Sequence, residues 1–386
     1  MAHIYYAMSG EGRGHATRAR AVIEALRPQH RVTVYAYHQS HDILSPVYRD
    51  TDVTVRAIPG LQFRYSDHGR LDYLRSFLQA VPFVAQLPAN VRRVREDMER
   101  DQPALVITDF EPIIPRAALQ SKVPFISLDH QHFLTAYDLS SLPFKLRAYA
   151  AFLGPWVHAF YRGQIRTMVS SFYNPPLKSA RGHVSRVGVL LRPEILEAKP
   201  ETRSHLVAYL RRQVPAQVLD ALSHYGDEVR IYGLGAQPRR GNLVFQEVDI
   251  FRFVEDLATC RALVCTAGNQ LVGEALYLDK PVLAMPEVGN FEQAINGHFL
   301  ARSGTGLNCD PLHLTGTTVR NFVERLDEFR THIDPNTVCG NSAALALIDH
   351  HLQQLLDGES WSSEQERGAN PGKSRVGPAN KSASTL

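Results

Sequence analysis

A histidine set just behind three closely spaced glycines is the first chemically suggestive pattern in this 386-residue chain. Gly10, Gly12 and Gly14 in SGEGRGHATR let the backbone turn sharply and approach a ligand closely, and His15 follows where an apolar helical pattern begins. At such a helix start the positive end of the dipole favours a neutral ring that can take a proton. Asp109, which closes the apolar run Ala104 to Thr108, is placed to orient that ring in a His–Asp dyad. The plain alternative is local: His15 capping its own helix, and Asp109 or Glu111 capping the next one. A second constellation lies between Arg261 and Asn296. There Gly268, Asn269 and Gln270 open a helix that carries Glu274, and its free N–H groups form an end that attracts phosphate. The next helix carries Glu292, Gln293 and Asn296. Two successive strand ends thus bring an anion-binding terminus, a carboxylate and a carboxylate–amide pair to one rim, an arrangement suited to a sugar nucleotide. In the plain reading Glu274 is a solvated helix residue of an ordinary Rossmann-like unit.

Other chemistries fit less well. A dinucleotide fingerprint needs a further glycine where His15 stands, and the second strand ends in Tyr37-His38-Gln39, with no acid for an adenosine ribose. Asp50 and Asp52 form the sole Asp-x-Asp, in a loop before the third strand rather than at a sheet's carboxyl edge, so no metal site is expected. Asp129-His130-Gln131-His132 reads as lining for an acceptor cleft or as a satisfied turn.

The elements that must carry these residues alternate. Short apolar runs without polar alternation mark parallel strands covered on both faces: His3 to Met8, Arg31 to Tyr37, Val53 to Ile58, Ala104 to Thr108 and Pro124 to Leu128. A second series follows at His205 to Leu210, Val229 to Tyr232, Leu243 to Phe245, Ala262 to Thr266 and Val282 to Met285. Strand–helix alternation implies right-handed crossovers and doubly wound sheets, with ligands at the carboxyl ends of the strands. The stretch Arg70 to Arg100 is expected to be helical but broken or kinked at Pro82 and Pro88. The predicted fold class is α/β, two Rossmann-like domains facing across a cleft: residues 1–165, residues 166–357, and a disordered tail 358–386 poor in anything to bury. A closing helix near Ser342 to Leu356 is expected to cross back to the first domain.

These motifs resemble GT-B glycosyltransferases, and most the lipid-linked N-acetylglucosaminyltransferase family of peptidoglycan synthesis; the resemblance makes 1–165 the acceptor-side domain and 166–357 the nucleotide-sugar-binding one. The resemblance implies that Glu274 holds the ribose hydroxyls, that Glu292-Gln293 stands where the family has a Gln-Gln pair reading the sugar, and that Val254, in Phe253 to Leu257, reads the base through its backbone. It places Gly12, Gly14 and His15 at the acceptor, with Glu111 and His130 nearby, and His15 or Asp109 as the general base, an effect worth roughly a hundred- to ten-thousand-fold. Arg192 in VGVLLR resembles an arginine of the family and is assigned to phosphate or acceptor contact. The chain departs from the family after the second domain's first strand, where Tyr209-Leu210-Arg211-Arg212 replaces a glycine-rich phosphate loop. Either an arginine substitutes for backbone donors there, or that edge is built differently.

The formal net charge of +3 is too small for a generic polyanion binder, so no nucleic-acid partner is expected. Its distribution is uneven. From Leu139 through Pro193 there is no Asp or Glu, whereas Lys145, Arg147, Arg162, Arg166, Lys178, Arg181, Arg186 and Arg192 are basic. The first part of this belt adds Phe144, Phe152, Trp156, Phe160 and Tyr161. One reading is a peripheral contact with an anionic membrane or a lipid-phosphate acceptor; the other is a bridging helix with aromatics in the core, interrupted at Gly154-Pro155. Four cysteines without zinc or disulfide spacing point to a reducing cytoplasm, and no apolar run approaches the ~20 residues that span a bilayer. The sequence therefore predicts a cytoplasmic or membrane-peripheral enzyme without cofactor. It would move a sugar from a nucleotide sugar, UDP-GlcNAc being one, to a hydroxyl acceptor, lipid-linked in one reading, inverting and metal-independent. The alternatives are a UDP-sugar 2-epimerase of the same fold and a non-catalytic nucleotide-sugar-binding subunit of a membrane complex.

Overall fold

The computed structural model describes residues 1–61, 64–65, 71–178, 182–211 and 214–358; residues 359–386 of the expected disordered tail and the side chains of Phe160, Arg181 and Arg212 lie outside the described set. The chain opens with β1 (His3–Met8), α1 (Arg13–Leu26), β2 (Arg31–Ala36), α2 (His38–Tyr48) and β3 (Thr54–Ala57). A small hairpin, β4 (Arg64–Tyr65) and β5 (Leu71–Asp72), leads into α3 (Tyr73–Asp101), and β6 (Leu105–Asp109), α4 (Ile114–Gln120) and β7 (Phe125–Asp129) follow. Then come α5 (Phe133–Ala136), α6 (Phe144–Phe160), β8 (Arg166–Ser170) and β9 (Val184–Val187). These strands form one sheet in the order β3-β2-β1-β6-β7-β8-β9, all parallel, with β4–β5 apart.

The second unit runs α7 (Pro193–Glu197), β10 (Leu206–Tyr209), α8 (Ala216–Ser223), β11 (Val229–Tyr232), β12 (Leu243–Phe245), α9 (Ile250–Thr259), β13 (Leu263–Cys265), α10 (Asn269–Tyr277), β14 (Val282–Ala284), α11 (Phe291–Arg302) and β15 (Gly306–Asn308). It closes with α12 (Gly316–Glu324), α13 (Leu326–Arg330), α14 (Pro335–Val338) and α15 (Asn341–Leu356). Its parallel sheet has the order β12-β11-β10-β13-β14-β15. Each strand order doubles back on itself, and both faces of each sheet are covered, which is why strands such as Leu105–Asp109 and Leu263–Cys265 are buried at every residue.

The structure corrects the sequence reading in three places. The first sheet does not end at residue 165, because β8 and β9 extend it through Val187. Pro82 and Pro88 sit at exposed positions inside α3, which is not broken at either. Gly154 and Pro155 likewise lie within α6.

Two strands of chain cross between the units, and they are clasped together. Val189 N–H donates to Val338 O at 2.7 Å and Gly340 N–H to Val189 O at 2.9 Å. A Cβ on Gly188 would stand 2.2 Å from Val338 O, and one on Gly340 2.4 Å from Gly188 O, so only glycines fit this crossing. After it, α15 returns to the first unit, as expected, and buries Ala344, Ile348 and Leu352 in the core beneath β1 and α1.

Candidate active site

At the first rim, β1 and β6 are neighbours with Met8 opposite Asp109, so the glycine turn and the acid leave the sheet side by side. Gly12 caps α1 at φ 77 without any side-chain cap hydrogen bond. His15 does not cap the helix either: its Nδ1 lies 2.9 Å from Asp109 Oδ1. The expected dyad geometry is therefore present. A third member is new. Arg18, one turn further along α1, donates from Nε to Asp109 Oδ2 at 2.9 Å and from Nη2 to Oδ1 at 2.8 Å. All three are buried, Asp109 completely. Burial alone would raise the Asp109 carboxyl, but Arg18 and then His15 hold it below its ordinary range. Among the described residues, the structure records no hydrogen-bond partner for His15 Nε2, the atom left to meet a substrate.

Glu111 takes the plain role. Its two carboxyl oxygens accept the N–H groups of Ile113 and Ile114, each at 2.8 Å, at the start of α4. Complete burial pushes its carboxyl up to about 7, the two N–H groups and Arg116 acting the other way. His130 is buried between the units, Nδ1 2.9 Å from Ser170 O and Nε2 3.1 Å from Asn296 Oδ1 on α11. Tyr173 donates to the same Asn296 oxygen at 3.0 Å. His132 pairs with Asp129 at 2.7 Å at the end of β7, while Gln131 Oε1 between them is buried without a hydrogen-bond partner.

At the second rim, Gly268 caps α10, again without a side-chain cap and with open space where a Cβ would stand. Both rims carry a left-handed non-glycine residue, Phe110 at φ 54 beside Asp109 and Ala267 at φ 61 before Gly268. Strain of this kind clusters where a backbone must present a ligand site. Glu274 and Arg192 meet, Arg192 Nη2 donating to Glu274 Oε2 at 3.2 Å, and Gln270 Nε2 donates to Leu190 O at 2.8 Å and Glu274 Oε1 at 3.3 Å. Arg192 Nε and Gln270 Oε1 are buried without a hydrogen-bond partner. Asn269 ties this helix start to the first unit, accepting from Phe172 N–H and donating to Ser170 O.

Other expected contacts are placed differently. Val254 lies in the interior of α9, its side chain in the core and its backbone groups within the helix ladder, so it is not placed to read a base. Gln293 holds the loop after β14, accepting from Glu287 N–H at 2.8 Å and donating to Glu287 Oε2 at 3.1 Å, while Glu292 stands half-buried beside it. Arg211 pairs with the same Glu287 at 2.9 Å. Asp50 and Asp52 are on the surface, away from either rim.

The two rims converge. α1 packs against α10, and a Cβ on Gly14 would lie 3.4 Å from Gln270 Cβ. Two uncapped helix starts, a His–Asp–Arg cluster on one and a Gln–Glu–Arg cluster on the other, therefore face each other between two doubly wound sheets.

That architecture is the GT-B class. The calicheamicin glycosyltransferase CalG4 superposes with a TM-score of 0.64 over 92% of this chain and 99% of its own, at 18% identity. MurG of Acinetobacter baumannii superposes at 0.54 over 91% and 100%, at 17% identity. In sequence, an uncharacterized glycosyltransferase of Methanosarcina acetivorans is 24% identical over 376 residues, 85% of this chain and 94% of that protein. Residues 2–327 match the model of glycosyl transferase family 1, and the chain belongs to that family. It is a glycosyltransferase of the GT-B type, which sets aside the 2-epimerase reading.

Proposed function

We propose that this glycosyltransferase moves a sugar from a UDP sugar, such as UDP-GlcNAc, to a hydroxyl of a lipid-linked acceptor, with inversion and without a metal. The observation that carries the reading is the meeting of the two uncapped helix starts beside the His15–Asp109 pair. In this reading His15 Nε2 takes the acceptor's proton while Asp109 accepts a hydrogen bond from Nδ1–H and steadies the ring. The acceptor oxygen forms a bond to the anomeric carbon from the face opposite the leaving group. The bond from that carbon to the diphosphate oxygen breaks, and UDP departs with the electron pair. The free N–H groups of α10 and the Arg192 guanidinium supply positive charge for the departing diphosphate.

Glu274 is the ribose contact in this scheme, so nucleotide binding exchanges its pairing with Arg192 for ribose hydroxyls and frees Arg192 to turn toward phosphate. Glu292, the less engaged member of the Glu292-Gln293 pair, is left to contact sugar hydroxyls. The basic run from Leu139 to Pro193 supports an acceptor that carries phosphate.

Calorimetric titration of the purified chain with UDP, TDP, ADP, NAD and UDP sugars, with and without EDTA, tests the donor side. UDP-selective binding indifferent to EDTA is expected. Preference for NAD, or binding that EDTA abolishes, overturns the reading.

A further inference from the structure

α6 is apolar on both of its sides. Its inner face, with Ala150 and Val157 buried and Leu146, Tyr149 and Leu153 partly covered, packs on the Phe133–Tyr173 cluster, and Tyr149 stacks on Phe291 of α11 with ring centroids 4.7 Å apart. A helix so placed ordinarily turns charge to water on its other side. Here Phe144, Phe152 and Trp156 are 78%, 68% and 58% exposed. With exposed Ala148 they recur every four residues and so share one face. Of the aromatics in the belt, Phe144, Phe152 and Trp156 thus lie outside the core, whereas Tyr161 is buried in it.

α3 also leaves apolar side chains exposed. Leu78, Val81 and Val84 of α3 are 59%, 54% and 59% exposed. The partly buried Phe83 and Leu87 between and beyond them pack on the core cluster that includes Tyr5, Val91, Val94 and Tyr161. Proteins rarely leave apolar surface of this kind bare. No described helix is long and apolar enough to cross a membrane, so the face is not one side of a span.

What borders it names its partner. Lys145, Arg147 and Arg162 are exposed on and just after α6, and no acid occurs from Leu139 through Pro193. A second copy of the chain meeting this face by a two-fold axis would set those cations against their own kind. An anionic bilayer accepts the aromatics into its interface and the lysine and arginine heads at its phosphates.

We propose that the exposed face of α6 docks on an anionic membrane surface. The inference deepens the proposed function and rests on it for one point, that the docked face serves a lipid-linked acceptor; the docking itself stands on the surface alone.

The test uses the full chain carrying Trp361→Phe, which leaves Trp156 as its one tryptophan, with vesicles of phosphatidylcholine alone or mixed equally with phosphatidylglycerol. Binding to the mixed vesicles is expected, with a blue shift of Trp156 emission and little binding to phosphatidylcholine alone. In the full chain with native Trp361, Phe144→Ser, Phe152→Ser and Trp156→Ser should each weaken co-sedimentation about tenfold, the scale for burying one large apolar side chain. The three positions are exposed, so the variants should keep wild-type melting and UDP binding. Failure to bind anionic vesicles, binding without a Trp156 shift, or a dimer in solution that Phe152→Ser dissociates would each overturn the proposal. Loss of UDP binding by the unmutated chain would instead overturn the donor assignment and leave this one standing.

Discussion

Replacing Asp109 by Asn should damage stability and turnover together, and the structure says by how much. The carboxylate accepts three hydrogen bonds within 2.9 Å, one facing His15 and two from Arg18, and it is completely buried. An amide can accept at only one of those two oxygen positions and turns N–H groups toward donors at the other. It also leaves Arg18, 3% exposed, as a buried cation without its partner. Breaking such a pair from one side destabilises by about 3–5 kcal/mol. Arg18→Met should cost a similar amount by stranding Asp109. In the double variant neither charge remains, so its loss should fall short of the sum of the two single losses by about 2 kcal/mol or more. Urea unfolding of the four proteins at neutral pH measures the cycle. Turnover gives a second reading: Asp109→Asn should lower kcat at least about a hundredfold, as expected when a general base loses its orienting group. Additive stability losses would refute the claim that Arg18 and Asp109 act as one buried unit, and unchanged kcat would refute Asp109 as the group that holds His15.

Other consequences follow from single residues. Glu111, with its carboxyl raised to about 7, contributes stability that is fully present below its unfolded value and is lost as pH climbs toward 7, about 3 kcal/mol in all; melting curves of Glu111→Gln across pH 4–8 should lack that fall. Gly188→Ala would drive a Cβ to 2.2 Å from Val338 O and should unclasp the crossing, seen as a melting temperature lowered by several degrees with secondary structure retained; a wild-type melting temperature would show that the crossing is loose. Glu274→Gln keeps the side chain's size but removes the charge that Arg192 and, in our reading, a ribose share, so UDP affinity measured by calorimetry should fall about tenfold or more.

How much of this was legible in the sequence varies by residue, for physical reasons. The His15–Asp109 meeting could be foreseen because Asp109 ends one buried parallel strand and the glycine turn before His15 follows another, and β1 and β6 proved to be neighbours. Arg18 was missed although it lies three residues from His15 on the same helix face; arginines are almost never fully buried, so an arginine in a helix reads as solvated. β8 and β9 were hidden because Arg166–Ser170 and Val184–Val187 mix basic and polar residues at the sheet's edge, unlike the unbroken apolar runs of the central strands. Val254 misled because its segment resembles a base-reading one, while the spacing of Phe253, Val254, Leu257 and Ala258 belongs to a helix that buries them. The junction of His130, Tyr173 and Asn296 joins residues far apart in the chain, and nothing local announces it.

The measurement that tests the account most directly is UDP release by the purified chain given a UDP sugar and a lipid-linked hydroxyl acceptor, with the anomeric configuration of the product read by NMR, for wild type and His15→Ala. The account predicts an inverted product from the wild type, and a His15→Ala enzyme that binds UDP normally but turns over at least about a hundredfold more slowly. A retained anomeric configuration, or a His15→Ala enzyme as fast as wild type, would contradict it.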